Sequence, residues 1–198
     1  MIPESVHNFI KAFSRLPAIG PRLATRLAFF LISLGKSDFE SLEKAFSGLK
    51  SLDRCPRCFF AKERKSELCN ICGNPGRDRK TILIVEKETD VLSMENASAY
   101  KGVYLVLGEI SPDGGLEGYQ ETRLKNLVRM VEEENGKDTE IVLGLEANSI
   151  GDFAADTISG ILKGHVGKIT RLARGIPTGG AIEFADEETL RGAFEGRK

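Results

Sequence analysis

The chain has 198 residues, of which 41% are hydrophobic and 29% charged, an ordinary globular composition with room for one domain and one or two small modules. No stretch approaches the roughly eighteen consecutive apolar residues of a membrane span. Met1-Ile2-Pro3-Glu4 lacks the basic-then-apolar pattern of a secretory signal, so a cytoplasmic location without a membrane partner is expected. Net charge is only −1, but residues 1–80 hold 15 Lys+Arg against 8 Asp+Glu and residues 81–198 hold 13 against 21. The split points to a nucleic-acid-facing half and an acidic half with another task, against the plainer reading of an uneven solvated surface.

Val6, Phe9, Ile10, Phe13 and Leu16 recur at helical spacing and predict a first helix ending near Arg15. Leu16-Pro17-Ala18-Ile19-Gly20-Pro21 must break it, and Pro21 suits the first position of a second helix. Leu23, Leu27, Leu31 and Leu34 are expected to form that helix's buried stripe, with Ala24 and Ala28 permitting close packing. A Ser37-x-x-Glu40 capping box should open a third helix, lined by Phe39, Leu42, Phe46 and Leu49. Leu16 to Arg22 resembles the helix-hairpin-helix signature. A Gly20-containing turn ahead of a helix would offer backbone N–H groups to a phosphate, and Arg22 and Arg26, four residues apart, would share one face. Residues 1–36 carry five basic side chains and one acidic one, which favours DNA contact over a hairpin with merely solvated arginines. Such contacts grip the backbone and read no sequence.

Cys55-x-x-Cys58 and Cys69-x-x-Cys72 are separated by ten residues, the spacing of two knuckles closing a tetrahedron around one structural Zn²⁺. Four thiolates leave no coordination position for catalysis. Disulfides and an iron–sulfur cluster are the alternatives, disfavoured by the expected compartment. Gly73 after the second pair is expected to supply positive φ. Arg54, Arg57, Lys62, Arg64 and Lys65 surround the cysteines and would partly offset the charge of a tetrathiolate site. The ribbon is expected to brace neighbouring modules and not to read bases.

Beyond Lys80, apolar runs alternate with helical patterns: Ile82 to Val85, Val103 to Leu107, Ile141 to Leu143 and Ile169 to Ala173 as strands, Glu121 to Glu134 as the clearest helix. This predicts an open parallel α/β sheet whose carboxyl edge is functional. At that edge, Val85-Glu86-Lys87-Glu88-Thr89-Asp90 resembles the first motif of the Toprim fold, in which a Glu and a later Asp-x-Asp hold Mg²⁺ for phosphoryl chemistry. Here the later position reads Leu145-Glu146-Ala147-Asn148, with Asp152 beyond it, so the metal-binding set is incomplete.

The expected architecture is therefore α/β and multi-module. It comprises a helix-hairpin-helix module over 1–53, a four-cysteine zinc module over 54–76, a Toprim domain over 77–174 and a C-terminal extension over 175–198. That combination resembles the RecR family of recombination mediators, and the resemblance extends through Ile110-Ser111-Pro112-Asp113-Gly114 and Ile169 to Gly180. It implies a bacterial DNA-binding protein that catalyses no reaction. Such a protein works with RecO and RecF, helping RecA displace single-strand-binding protein, and its subunits form a ring, a tetramer, able to encircle DNA. Its implied DNA contacts are Gly20, Arg22 and Arg26, and its implied partner contacts are Glu86, Asp90 and Asp152, with the C-terminal extension at a subunit contact. The sequence departs from the family at Asn148-Ser149-Ile150-Gly151-Asp152-Phe153-Ala154, where the family usually has Asn-Pro-Thr-x-Glu-Gly-Glu. The alternative is an active Toprim nuclease or primase. His7 and His165 have no nucleophile placed with them, and Gly175 to Gly180 lacks the ending of a phosphate-binding P-loop.

Overall fold

The computed structural model describes residues 2–197. They fall into two compact units, the first ending at Leu52 and the second beginning at Asp53.

The first unit holds α1 (Glu4–Phe13), α2 (Pro21–Ser33) and α3 (Lys36–Gly48). Pro21 opens α2 as expected, with Gly20 extended at the N-cap, and the left-handed residue of the turn is Ala18 at φ 61°. The buried positions are Val6, Ala24 and Ala28. Two alanines one turn apart leave no bulk between α1 and α2, so the helices meet over small side chains. The predicted leucine stripe is not a core: Leu23 is exposed, and Leu27, Leu31 and Leu34 are only half-buried. α3 buries nothing, and Phe39, Leu42 and Phe46 all face outward. Nor does the Ser37–Glu40 box form, because α3 starts two residues earlier, with Gly35 at its N-cap and no capping side chain.

The second unit is built on a four-stranded parallel sheet of order β4-β3-β5-β6, with β3 at Asp78–Val85, β4 at Gly102–Val106, β5 at Glu140–Gly144 and β6 at Lys168–Arg171. Helices α4 (Glu88–Ala97), α5 (Gly118–Glu134) and α6 (Ser149–Leu162) connect the strands, and α7 (Glu187–Glu195) closes the chain. Ahead of the sheet, β1 (Leu52–Arg54) and β2 (Ala61–Glu63) form a small ladder beside the cysteines.

Strand alternation divides the core in two. Ile82 and Ile84 point to one face with Leu105, where α5 and α6 supply Leu124, Leu127, Val131, Ala155, Ile158 and Leu162. Leu83 and Val85 point to the other with Tyr104 and Val106, where Val91 of α4 and all four cysteines cover them. β3 is thus buried on both faces, which is why its sequence reads as a continuous apolar run. The expected α/β, multi-module class is the one observed, and the cysteine module forms one layer of the second unit.

Candidate functional site

The cysteine tetrad is the most completely built site. Cys55, Cys58, Cys69 and Cys72 are all buried, and their sulfurs lie within 4.8 Å of one another. A tetrahedron with metal–sulfur bonds of about 2.3 Å has sulfur edges of about 3.8 Å, so the cage fits one Zn²⁺. Cys58 and Cys69 sulfurs stand 3.4 Å apart, too far for a disulfide bond of about 2.05 Å. The Cys72 amide points at the Cys69 sulfur at 3.4 Å, a donor suited to a thiolate. Hydrogen bonds from Cys58, Cys69 and Cys72 hold Cys55 far below the ordinary thiol range, and the same bond network pushes Cys58 far above it. The knuckle residue with positive φ is Phe59, at 61°, and not Gly73. At Gly73 the constraint is space instead, since a Cβ there would come within a tight 3.2 Å of the Cys69 carbonyl oxygen.

Much of the basic charge near the cysteines fastens them in place. Arg57, between the first pair, makes a two-pronged contact with Glu134 of α5, at 2.5 and 2.7 Å. Arg54 bonds Glu88 at 2.8 Å and the Phe59 carbonyl at 3.1 Å. Arg77 grips Glu95, which also accepts the Tyr104 hydroxyl at 2.6 Å. Arg79 reaches the Cys72 carbonyl, and the Val106 amide donates to the Cys58 carbonyl at 2.8 Å, closing the free edge of β4. Arg123 satisfies the carbonyls of Val106 and Leu107 at 2.9 Å each while its guanidinium lies over Phe59 and Tyr119.

The sheet's carboxyl edge is the second candidate. α4 lies on one face and α6 on the other, so the crevice opens between the ends of β3 and β5, the switch point where such sheets bind ligands. Glu86 stands there but is only 6% exposed. Its carboxylate accepts the Glu146 amide at 3.0 Å and faces the Ile110 amide at 3.5 Å, so it ties together the loops after β4 and β5. Asp90 accepts the Lys87 amide at 2.8 Å and caps α4. Asp152 is held by Arg171, at 3.0 Å, and by Arg174, which also reaches Glu188 at 2.6 Å. All three predicted acids therefore have partners within the chain. The exposed carboxylates are Glu109 and Glu146, with the Lys87 ammonium between them at 3.9 and 3.4 Å. Together with Glu86, Ile110, Asn148 and Ile150 they line a cleft of about 220 Å³. Glu109 lies three residues past the end of β4, where Glu86 lies directly past β3, and an acid soon after a strand is a signal available in the sequence. A buried Gln120 fixes the Glu109 loop by donating to the Gly108 and Glu109 carbonyls.

In the first unit, Gly20, Arg22 and Arg26 cluster at the start of α2, all exposed. No side chain caps that end, and among the described residues neither arginine is ion-paired. This leaves backbone donors and two cations turned to solvent.

Comparison with known proteins gives three family matches along the chain. The families described as "RecR, helix-hairpin-helix", "Toprim domain" and "RecR, C-terminal" match residues 6–48, 80–173 and 175–198. A protein of Lactobacillus helveticus called Recombination protein RecR is 37% identical over 197 residues, 98% of this chain and 97% of its own length. One of the same name from Lactococcus lactis subsp. cremoris is 40% identical over the same extent.

Proposed function

The chain belongs to the RecR family, and from that premise we propose that it is a DNA-binding recombination mediator that recruits repair partners and turns over no substrate. The observation that carries the reading is the start of α2, where Gly20, Arg22 and Arg26 offer unpaired donors on a proline-opened helix. A phosphate seated there would meet the positive end of the helix dipole and two charge-assisted donors. The acidic edge that carries Glu86, Asp90 and Asp152 then serves as a docking surface for a basic partner, RecO, with Glu109 and Glu146 as its outward charges. RecF and RecA loading belong to the same reading. The tetrad binds one structural Zn²⁺ per chain.

Metal-dependent strand cleavage is disfavoured by the edge itself. Glu86 commits its carboxylate to backbone amides, and the residues after β5 are Glu146, Ala147 and Asn148, not an Asp-x-Asp pair. Assembly into a ring is supported by apolar residues turned outward in the first unit, above all Phe30 and Phe46, and by Ile182 and Phe184 in the C-terminal extension. No helix of the described residues is long and apolar enough to cross a membrane.

The test is DNA affinity against salt concentration. Arg22→Gln with Arg26→Gln should weaken binding and flatten the log–log salt slope by roughly 0.9 for each duplex phosphate that is no longer neutralised. An unchanged slope and affinity would make the hairpin scaffold only. Cleavage in Mg²⁺ that vanished in Glu86→Gln would favour the nuclease.

A further inference from the structure

The carboxyl edge carries apolar side chains that an acidic surface alone does not explain. In the first turns of α6, Ile150 and Phe153 are 37% and 58% exposed, while Gly151, Ala154 and Ala155 turn inward. Three residues apart, the two share one helix face. The Phe153 ring lies over Gly114 in the loop after β4, so close that a Cβ on that glycine would meet it at 2.7 Å. One side of the ring is thus braced by the loop, and the other is open. Bracing matters because an aromatic already held in place loses little freedom on binding. Ile150 sits on the rim of the cleft that contains Glu109 and Glu146.

The charge beside this apolar pair is unbalanced. Among the described residues the Lys87 ammonium is the one cation lining the cleft, and its contacts of 3.4 and 3.9 Å are longer than the roughly 2.8 Å of a charge-assisted hydrogen bond. Glu146 also accepts the Asn148 side-chain amide at 3.1 Å, but neither carboxylate has a close cation and each keeps lone pairs for one, while a phosphate would be repelled. We propose that this edge docks a segment of a partner protein in which a Lys or Arg stands next to an apolar side chain. The cation enters the cleft against Glu109 and Glu146, and the apolar side chain covers Ile150 and Phe153. This rests on the docking reading above and specifies its chemistry: the carboxylates set association rate and salt dependence, and the apolar pair sets residence time.

The experiment measures the affinity of RecO for the zinc-loaded full chain at two salt concentrations, with zinc content and Tm recorded for every variant. Phe153→Ser and Ile150→Ser should each lose roughly tenfold or more in affinity, the behaviour of an anchor residue, with salt dependence unchanged. Phe153→Leu should lose clearly less. Glu109→Lys with Glu146→Lys should weaken binding and flatten its salt dependence. Both serine variants binding within about twofold of the parent, while the double charge reversal fails to bind, would overturn the apolar anchor and leave the docking reading standing. A parent chain that does not bind RecO removes the docking reading and this inference with it. Serine variants that reduce self-association and leave RecO binding intact would assign the face to a second copy of the chain and overturn the proposal.

Discussion

The two units of this chain solve the problem of burying apolar surface in opposite ways. The second encloses a sheet between α5 and α6 on one face and the cysteine knuckles with α4 on the other. The first has about fifty residues, buries Val6, Ala24 and Ala28, and turns Phe29, Phe30, Ile32, Phe39 and Phe46 outward. A unit that short cannot surround a large core, and side chains it leaves outside are available to other surfaces. The second unit is therefore stabilised by a core of its own, although it too exposes Phe153, Ile182 and Phe184, and the first is chiefly a surface supplier whose apolar residues await a neighbour.

The largest effect expected from this contrast concerns the metal. Structural zinc is worth about 10–16 kcal/mol in small cysteine sites, as much as the whole stability of a typical domain. Here the cysteines are also the wall against Leu83, Val85 and Val106. Elemental analysis should find one zinc per chain. Chelation, or Cys58→Ser, should abolish cooperative unfolding of the second unit as followed by near-ultraviolet dichroism. Metal-free protein with an unchanged transition would show that the apolar layer, not the metal, holds the knuckles.

The complementary test strikes the first unit. Phe30→Ser with Phe46→Ser removes two side chains that are 58% and 63% exposed. Light scattering should report a smaller assembly, with the helical signal of the chain retained. A large fall in helicity at unchanged mass would mean that these residues form a core after all, and the contrast between the units would fail.

How much of this was legible in the sequence differs between the same two regions. Period and punctuation are local, so the strands from Ile82, Val103, Ile141 and Ile169 and the Pro21 helix start could all be read directly. The cysteine spacing likewise needs no tertiary knowledge. Burial of an amphipathic helix, by contrast, depends on what lies opposite. Leu23, Phe39 and Phe46 have helical spacing whether they face a core or solvent, and the sequence pattern cannot tell which. The internal partners of the acids were hidden for a related reason. Glu86 ends a buried strand as predicted, but its use as a strut between the Glu146 and Ile110 amides is a long-range contact that no spacing encodes.

A smaller effect tests how the second unit fastens α4 onto the sheet face that carries the cysteines. Arg77 and then burial and Tyr104 act on Glu95, with the net result that its carboxyl is held below the ordinary value of about 4.3. A lowered folded-state value means that the contribution is complete above the unfolded carboxylate range and disappears as pH falls through the lowered value. Glu95→Gln should cost about 2 kcal/mol near neutral pH, the scale of a charge-assisted hydrogen bond. The gap between variant and parent in urea melts should narrow steadily below about pH 4. A gap independent of pH would mean that packing around Tyr104, not the charge of Glu95, is what the substitution disturbs.

The smallest effect concerns helix ends, where the units differ again. Among the described residues none of α1, α2 or α3 has a capping side chain, whereas α4 is capped by Asp90, α6 by Asn148 and α7 by Asp186. A capping oxygen satisfies an amide that the helix cannot, and replacing it with Ala costs about 1 kcal/mol. Ser37 looks like such a cap in the sequence, but it lies inside α3, which begins at Lys36, and makes no capping bond. Asn148 does make one, accepting the Gly151 amide at 2.8 Å. Ser37→Ala should therefore leave stability within about 0.5 kcal/mol of the parent, as a surface change in a helix does. Asn148→Ala should lower it by about 1 kcal/mol, measured in the same urea melts. If Ser37→Ala costs as much as Asn148→Ala, α3 starts at Ser37 in solution with its capping box formed, and the first unit is fastened by the same local devices as the second.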